Sequence, residues 1–338
     1  MPGVTVDAHH LTYPEAIVVG LLQGVTELFP VSSLGHSVLL PALLGGRWAR
    51  DLDVSAPESP YLAFVVGLHV ATALALLLFF WRDWLRIITG LVTSVRYRRI
   101  ERPDERLAWM IVLATIPVGV SGLVLEHTFR TVLGRPVPAA IFLTVNGVLL
   151  YGFERLRRGA TTANAATVPA VPVATSAPLA SGAPAPLAAG TAPDPRDPGD
   201  IGDPGVASDR RIAGGSFGRA ILIGTAQVLA LLPGISRSGA TLGAGLLKGL
   251  SHEDAARFSF LLATPVILAA GVLKIPDLFG PLGAGIHGQV LAGSLAAGVA
   301  AYGSVRFLTR YFETRTLTPF AGYCVVVGLG SLVWLLAA

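Results

Sequence analysis

The sequence predicts an all-α polytopic membrane protein with an inverted-topology repeat, each half a re-entrant helix hairpin followed by three transmembrane helices. Three observations carry that prediction. The chain is 52% hydrophobic and only 14% charged, with mean hydropathy +0.64, where soluble domains run near ~25% charged. Two long apolar stretches are interrupted in the middle by Pro, Gly, Ser and a charged residue. Those two stretches also resemble each other.

Six segments are long enough to cross a bilayer as helices, which takes about 20 residues. They are residues 61–81, 108–126, 138–153, 255–274, 289–307 and 319–336. The interrupted stretches, 13–44 and 217–250, each hold enough chain for two half-helices and a bend. Irregular backbone at membrane depth is tolerated only where protein or water covers it, so both are predicted to be re-entrant hairpins. The first repeat is then 1–158 and the second 217–338. Between them, 159–216 is rich in Ala, Pro, Gly and Thr, without periodicity. Such a segment buries too little apolar surface to offset its chain entropy, and it is predicted to be a disordered cytoplasmic linker.

Arginine distribution sets the orientation. Arg82, Arg86, Arg96, Arg98, Arg99, Arg102 and Arg106 follow the first span and place that loop in the cytoplasm. Arg155, Arg157 and Arg158, then Arg306, Arg310 and Arg315, fall on the same side without conflict, and both termini lie outside. Met1 to Thr12 lacks a basic n-region and a small-residue cleavage site, so the first apolar segment is expected to be retained. The net charge of +4 comes from these arginine clusters and gives no reason to expect nucleic acid. Cys324 is the single cysteine, which excludes an intrachain disulfide and a cysteine-built zinc or iron–sulfur site.

The two broken segments align. Ala16-Ile17 matches Ala220-Ile221, Gly20 matches Gly224 and Gln23 matches Gln227; after a one-residue slip, Pro30 matches Pro233 and Ser33 matches Ser236. A hairpin plus three crossings is an odd unit, so the second copy must be inverted. The hairpins then enter from opposite sides and their bends meet near the midplane.

The second bend reads Pro233-Gly234-Ile235-Ser236-Arg237-Ser238-Gly239-Ala240-Thr241. Gly234, Gly239 and Gly243 permit turns whose N–H groups converge on an anion, and a half-helix starting there adds its N-terminal field. Ser236, Ser238 and Thr241 add hydroxyls, and Arg237 offers a planar fork for two phosphate oxygens. The competing reading is a Gly/Ser packing turn with Arg237 reaching to the interface. The first bend supplies reactive groups. Gln23 and Glu27 are four apart and share a helix face, Pro30 ends that helix, and Ser32, Ser33, Gly35 and His36 follow. A carboxylate and an imidazole serve as general base and acid, and a serine hydroxyl is a nucleophile once a base takes its proton. Glu27 could equally activate a water or hold a divalent cation, and the competing reading is a capped helix end with Ser32 or Ser33 as N-cap and Glu27 bonded to a hydroxyl. An ionisable group at membrane depth marks a functional site by default. His69 in the first span reads as either a pocket residue or a helix–helix hydrogen bond, and Asn146 in the third as interhelical glue.

With both motifs in hand, the chain resembles the undecaprenyl pyrophosphate phosphatase family, the bacitracin-resistance phosphatases of bacteria. The matching residues are Glu27-Leu28-Phe29-Pro30-Val31-Ser32-Ser33-Leu34-Gly35-His36 and residues 233–241, with weaker echoes at Phe79-Phe80-Trp81-Arg82 and Phe258-Ser259-Phe260-Leu261-Leu262-Ala263-Thr264-Pro265. The resemblance implies a hydrolase of the bacterial cytoplasmic membrane, its active site toward the outer face. It would cut the terminal phosphate from a polyprenyl diphosphate to regenerate the carrier lipid of cell-wall synthesis. It further implies Glu27 and His36 as acid/base pair and Ser33 as nucleophile or phosphate-contacting hydroxyl. Arg237 with Ser236, Ser238 and Thr241 would clamp the diphosphate, and Mg2+ or Ca2+ would be the cofactor. Gln23, Ser32, Gly234, Gly239 and His69 complete the expected substrate-binding set. The partners expected are the lipid and the bilayer, with a homodimer open.

Two positions depart from the family pattern. Many members carry a second Glu where this chain has Gln23, so a metal would rest on Glu27 alone. Many carry Gln where this chain has His69. A transporter or flippase is the competing architecture-level reading, but a carrier needs no hydroxyl, carboxylate and imidazole together. The other membrane lipid-phosphatase class wants a His six residues beyond its Ser-Arg, where this chain has Gly243.

Overall fold

The computed structural model describes residues 11–52, 60–167, 203–280 and 285–337, and every described element is helical. The centre of the linker, 168–202, lies outside the described residues. The first half comprises α1 (Tyr13–Thr26), α2 (Ser33–Leu44), a short α3 (Gly46–Asp51), α4 (Pro60–Phe79), α5 (Trp81–Tyr97), α6 (Pro103–Leu133) and α7 (Pro136–Thr167). The second comprises α8 (Pro204–Ala213), α9 (Phe217–Thr225), a 3-10 turn (Ala226–Leu231), α10 (Arg237–Leu247), α11 (His252–Phe279), α12 (His287–Thr314) and α13 (Thr318–Ala337). Five helices, α6, α7, α11, α12 and α13, are long and apolar enough to cross a membrane, and up to seven spans result if each of two bent pairs is one.

Helices approach closely where side chains are small. Gly20 and Gly24 of α1 face Gly293 and Ala297 of α12, so near that an added Cβ would strike the opposing backbone carbonyls. Lipid gives no hydrophobic drive for helix pairing, and small residues at four-residue spacing let backbones pack directly. Gly224 of α9 does the same against Ala114 of α6, and Gly147 of α7 against Ala321 of α13.

Two departures from the sequence reading stand out. The arginine-rich stretch after the first span is predicted as a loop but forms α5, turned 86° from α4. Its exposed residues Trp81, Leu85, Ile88, Val92 and Val95 recur at helical spacing, the pattern of a helix lying along an interface. The predicted linker is also shorter than 159–216. Helix α7 continues to Thr167, and α8 starts on a Pro with the Asp203 side chain capping Gly205 N–H. Ion pairs hold α8 in place. Asp209 accepts from Arg257 Nε at 2.7 Å and Arg86 Nη2 at 2.9 Å, and Asp254 accepts from Arg211 Nη2 at 2.7 Å. Arg257 also reaches Asp83 at 2.9 Å, so α5, α8 and α11 share one charge network.

Candidate active site

Both bends form where the sequence breaks, and they touch. Helix α1 stops at Thr26, and Ser32 turns the chain with φ +70° before capping α2, its Oγ accepting from Gly35 N–H at 3.2 Å. A non-glycine residue at positive φ holds about 1–3 kcal/mol of strain and persists only where its surroundings fix it. Gly234 takes φ +115°, and a Cβ added to Gly35 would lie 2.9 Å from the Gly234 Cα. Glycine at both points allows this backbone-to-backbone contact. Ser236 then caps α10, its Oγ accepting from Gly239 N–H at 3.1 Å.

Asn146 of α7 stitches the bends together. Its Nδ2 donates to the Pro30 carbonyl at 3.0 Å and its Oδ1 accepts from Ser236 N–H at 3.0 Å. Ser238 Oγ donates to the Phe29 carbonyl at 3.1 Å. The Pro30 carbonyl, left without a helical partner by the bend, is thus satisfied from a third helix. Asn146 reads from sequence as generic interhelical glue; its actual task is joining the two motifs.

Glu27 is the hub. Its Oε1 accepts from Arg237 Nη2 at 2.9 Å. Its Oε2 accepts from Ser33 Oγ at 2.5 Å and from Gln23 Nε2 at 3.0 Å, and faces His69 Nε2 at 3.4 Å. The carboxylate is 7% exposed, a depth at which charge requires partners. Two positive or polarised groups and two neutral donors supply them. His69 is oriented by donating Nδ1–H to the Val65 carbonyl at 2.9 Å. His69 on α4 thus reaches across to Glu27 at the end of α1. One Arg237 nitrogen holds Glu27, and the rest of its fork has no hydrogen-bond partner among the described residues.

Other predicted site residues do different work. His36 does not bond Glu27. Its Nδ1–H donates to the Ser32 carbonyl at 2.7 Å, and its Nε2 accepts from the Tyr323 hydroxyl at 2.8 Å. The ring lies nearly parallel to Tyr323, 5.7 Å between centroids. Glu27 and His36, expected as the acid/base pair, do not touch: the Ser32 carbonyl and the Tyr323 hydroxyl take the two His36 nitrogens, and the imidazole facing Glu27 is that of His69. Thr241 donates to the Arg237 carbonyl at 2.8 Å and pairs with Ser259 Oγ at 2.6 Å. Ser236, Ser238 and Thr241 thus use their hydroxyls to build the bend. Tyr323 was not legible from sequence; its only signal is a polar-tipped aromatic in the last span.

The donor set does not fit a protein-held divalent cation. Among the described residues no three His, Cys, Asp or Glu side chains cluster suitably. Gln23 offers an amide in place of a second carboxylate. Glu27 is already flanked by a guanidinium and an imidazole.

The model of the family described as "Bacitracin resistance protein BacA" matches residues 16–177 and 201–330. The stretch between the two matched parts falls in the Ala/Pro/Gly-rich segment. An undecaprenyl-diphosphatase of Mycolicibacterium paratuberculosis is 65% identical over 96% of this chain and 98% of its own. Undecaprenyl-diphosphatase 1 of Frankia casuarinae is 56% identical over 94% and 96%, and an undecaprenyl-diphosphatase of Granulibacter bethesdensis 39% over 95% and 96%. With both halves matched and relatives of that similarity covering nearly the full length, the chain belongs to the BacA bacitracin-resistance family.

Proposed function

We propose that this protein is an integral membrane enzyme that hydrolyses undecaprenyl diphosphate to undecaprenyl phosphate and inorganic phosphate. The observation that carries it is the single carboxylate of Glu27 contacting the Ser33 hydroxyl on one oxygen and Arg237 on the other. One motif brings the reactive groups, the other the anion grip, and 210 residues of sequence separate Glu27 from Arg237.

The chemistry follows from those contacts. Glu27 takes the Ser33 proton as Oγ attacks the terminal phosphorus. The P–O bond to the bridging oxygen breaks, and its electrons leave with undecaprenyl phosphate. Glu27 releases that proton to solvent once the lipid has left, then accepts one from the water that cleaves the phosphoserine and returns it to Ser33 Oγ as inorganic phosphate departs. The leaving group is a phosphate whose second pKa is near ~6, so it departs as an anion without a strong acid. This removes the need for His36 at the reacting centre. Charge builds on the transferred phosphoryl oxygens and the bridging oxygen, where Arg237 supplies a preorganised bidentate cation. His69 holds Glu27 in place and balances its charge.

We further infer an inverted repeat, supported by the parallel packing of α1 on α12 through Gly20 and of α9 on α6 through Gly224. The arginine-rich ends lie in the cytoplasm. The site serves the outer leaflet of the bacterial cytoplasmic membrane, as the family resemblance implies. Rapid quenching of turnover followed by mass spectrometry of the Ser33 peptide tests the step. A phosphoserine that forms and decays at the turnover rate supports attack by Ser33. Full turnover by Ser33→Ala assigns the attack to water instead.

A further inference from the structure

The arginine-rich end of α12 carries a surface groove separate from the Glu27–Arg237 pair. A surface groove of about 460 Å³ is lined by Gly303, Arg306, Phe307, Arg310, Tyr311 and, at its end, Thr314 with Arg315. Arg306, Arg310 and Arg315 are exposed, and among the described residues none has an acidic partner. Glu313 is exposed on the same helix end but does not line the groove. The contrast with Arg86, Arg211 and Arg257, all held in ion pairs, is a difference of chemistry. Those three hold helices together; these three face outward.

The same helix face explains what lies there. Leu291, Leu295, Val299 and Tyr302 are exposed, and at three- and four-residue steps they lead directly to Arg306 and Arg310. One stripe of α12 is therefore apolar along its membrane length and cationic where the helix leaves the membrane. The opposite face, with Gly293, Ala297, Ala301 and Val305, is buried in the bundle. A free anion would use only the arginines, and a helix of a second copy would pack best on small residues, whereas this stripe presents Leu291, Leu295, Val299 and Tyr302. An acyl chain with a phosphate head matches both parts.

We propose that this groove binds the headgroup of an anionic phospholipid, with its acyl chains along the exposed stripe of α12. Guanidinium groups at successive turns grip the phosphodiester, and Phe307 and Tyr311 flank the glycerol region at the interface.

Native mass spectrometry of the full chain from nanodiscs, with equal phosphatidylglycerol and phosphatidylcholine, tests this. The wild type should keep phosphatidylglycerol preferentially, and Arg306→Ala/Arg310→Ala should keep roughly thirtyfold less, from the loss of two cations. Should the double variant prove unstable in phosphatidylcholine, Arg306→Gln and Arg310→Gln singly give the same reading at smaller amplitude. Equal retention by wild type and variants, or displacement of the lipid by millimolar inorganic phosphate, would overturn the proposal. A photoreactive benzoylphenylalanine in place of Thr314 identifies the occupant. Adducts on phosphatidylglycerol support the assignment; adducts mainly on residues 168–202 or on a second copy overturn it.

Discussion

Arg237 Nη2 meets Glu27 Oε1 at 2.9 Å, joining the second bend to the first. Each alone is an expensive charge at membrane depth, and together they form a pair that binding of a diphosphate would partly replace. Arg237→Ala leaves Glu27 with a lost partner and the phosphoryl group without its cation. Phosphate release should fall on the order of 10²–10³-fold, as for loss of one preorganised donor. Arg237→Lys should recover only part of this, since a point charge cannot span two oxygens. Steady-state assays in detergent read both.

Asn146 occupies the other junction. Asn146→Ala removes both bonds at once and leaves the Ser236 N–H buried without a partner and the Pro30 carbonyl with only the long Cys324 Sγ contact at 3.8 Å. Each such group costs about 1–3 kcal/mol. The variant should melt several degrees lower and lose activity without any change at Glu27 or Arg237. Asn146→Asp should keep the bond from Ser236 and lose the one to Pro30. Thermal unfolding with phosphate release separates the two effects.

Gly20 tests the packing that carries α1. Gly20→Val puts branched carbons into the Gly293 backbone of α12, where nothing can move aside cheaply. The protein should lose folded yield and thermal stability, whereas Gly119→Val on α6, where an added Cβ meets nothing, should be tolerated. Size-exclusion profiles of the two variants make the comparison.

Gln23 sits against Glu27 through its amide at 3.0 Å. Gln23→Glu creates the carboxylate pair that many relatives carry. It should introduce a Mg2+ or Ca2+ dependence that the wild type lacks, measured as loss of rate on chelation and its recovery when the cation is restored. An unchanged metal profile would show that a second carboxylate here does not recruit a cation.

Much of this arrangement was legible because it rests on spacing and breaks. Gln23 and Glu27 four residues apart meet as expected, and the Pro-Gly-Ser interruptions mark both bends. What the sequence concealed was which polar group met which. Ser32 through Thr241 supply hydroxyls to any reader, but only the folded chain shows Ser238 bonding Phe29 and Thr241 bonding Ser259. His36 carried a family role, and its nitrogens are committed to Ser32 and Tyr323. Helix α5 was hidden by its own arginines, although its apolar residues recur at helical spacing. Helix α8 was hidden by the surrounding Ala/Pro/Gly composition, although Asp203-Pro204 is a start signal.

A double-mutant cycle on phosphate release tests the central claim most directly. Glu27→Gln, Arg237→Gln and the double variant are compared by kcat/KM for polyprenyl diphosphate. If the two bends form one catalytic unit, the double variant loses little more than the worse single variant, because residues acting together are strongly non-additive. Losses that multiply would place Glu27 and Arg237 in separate sites and contradict the account.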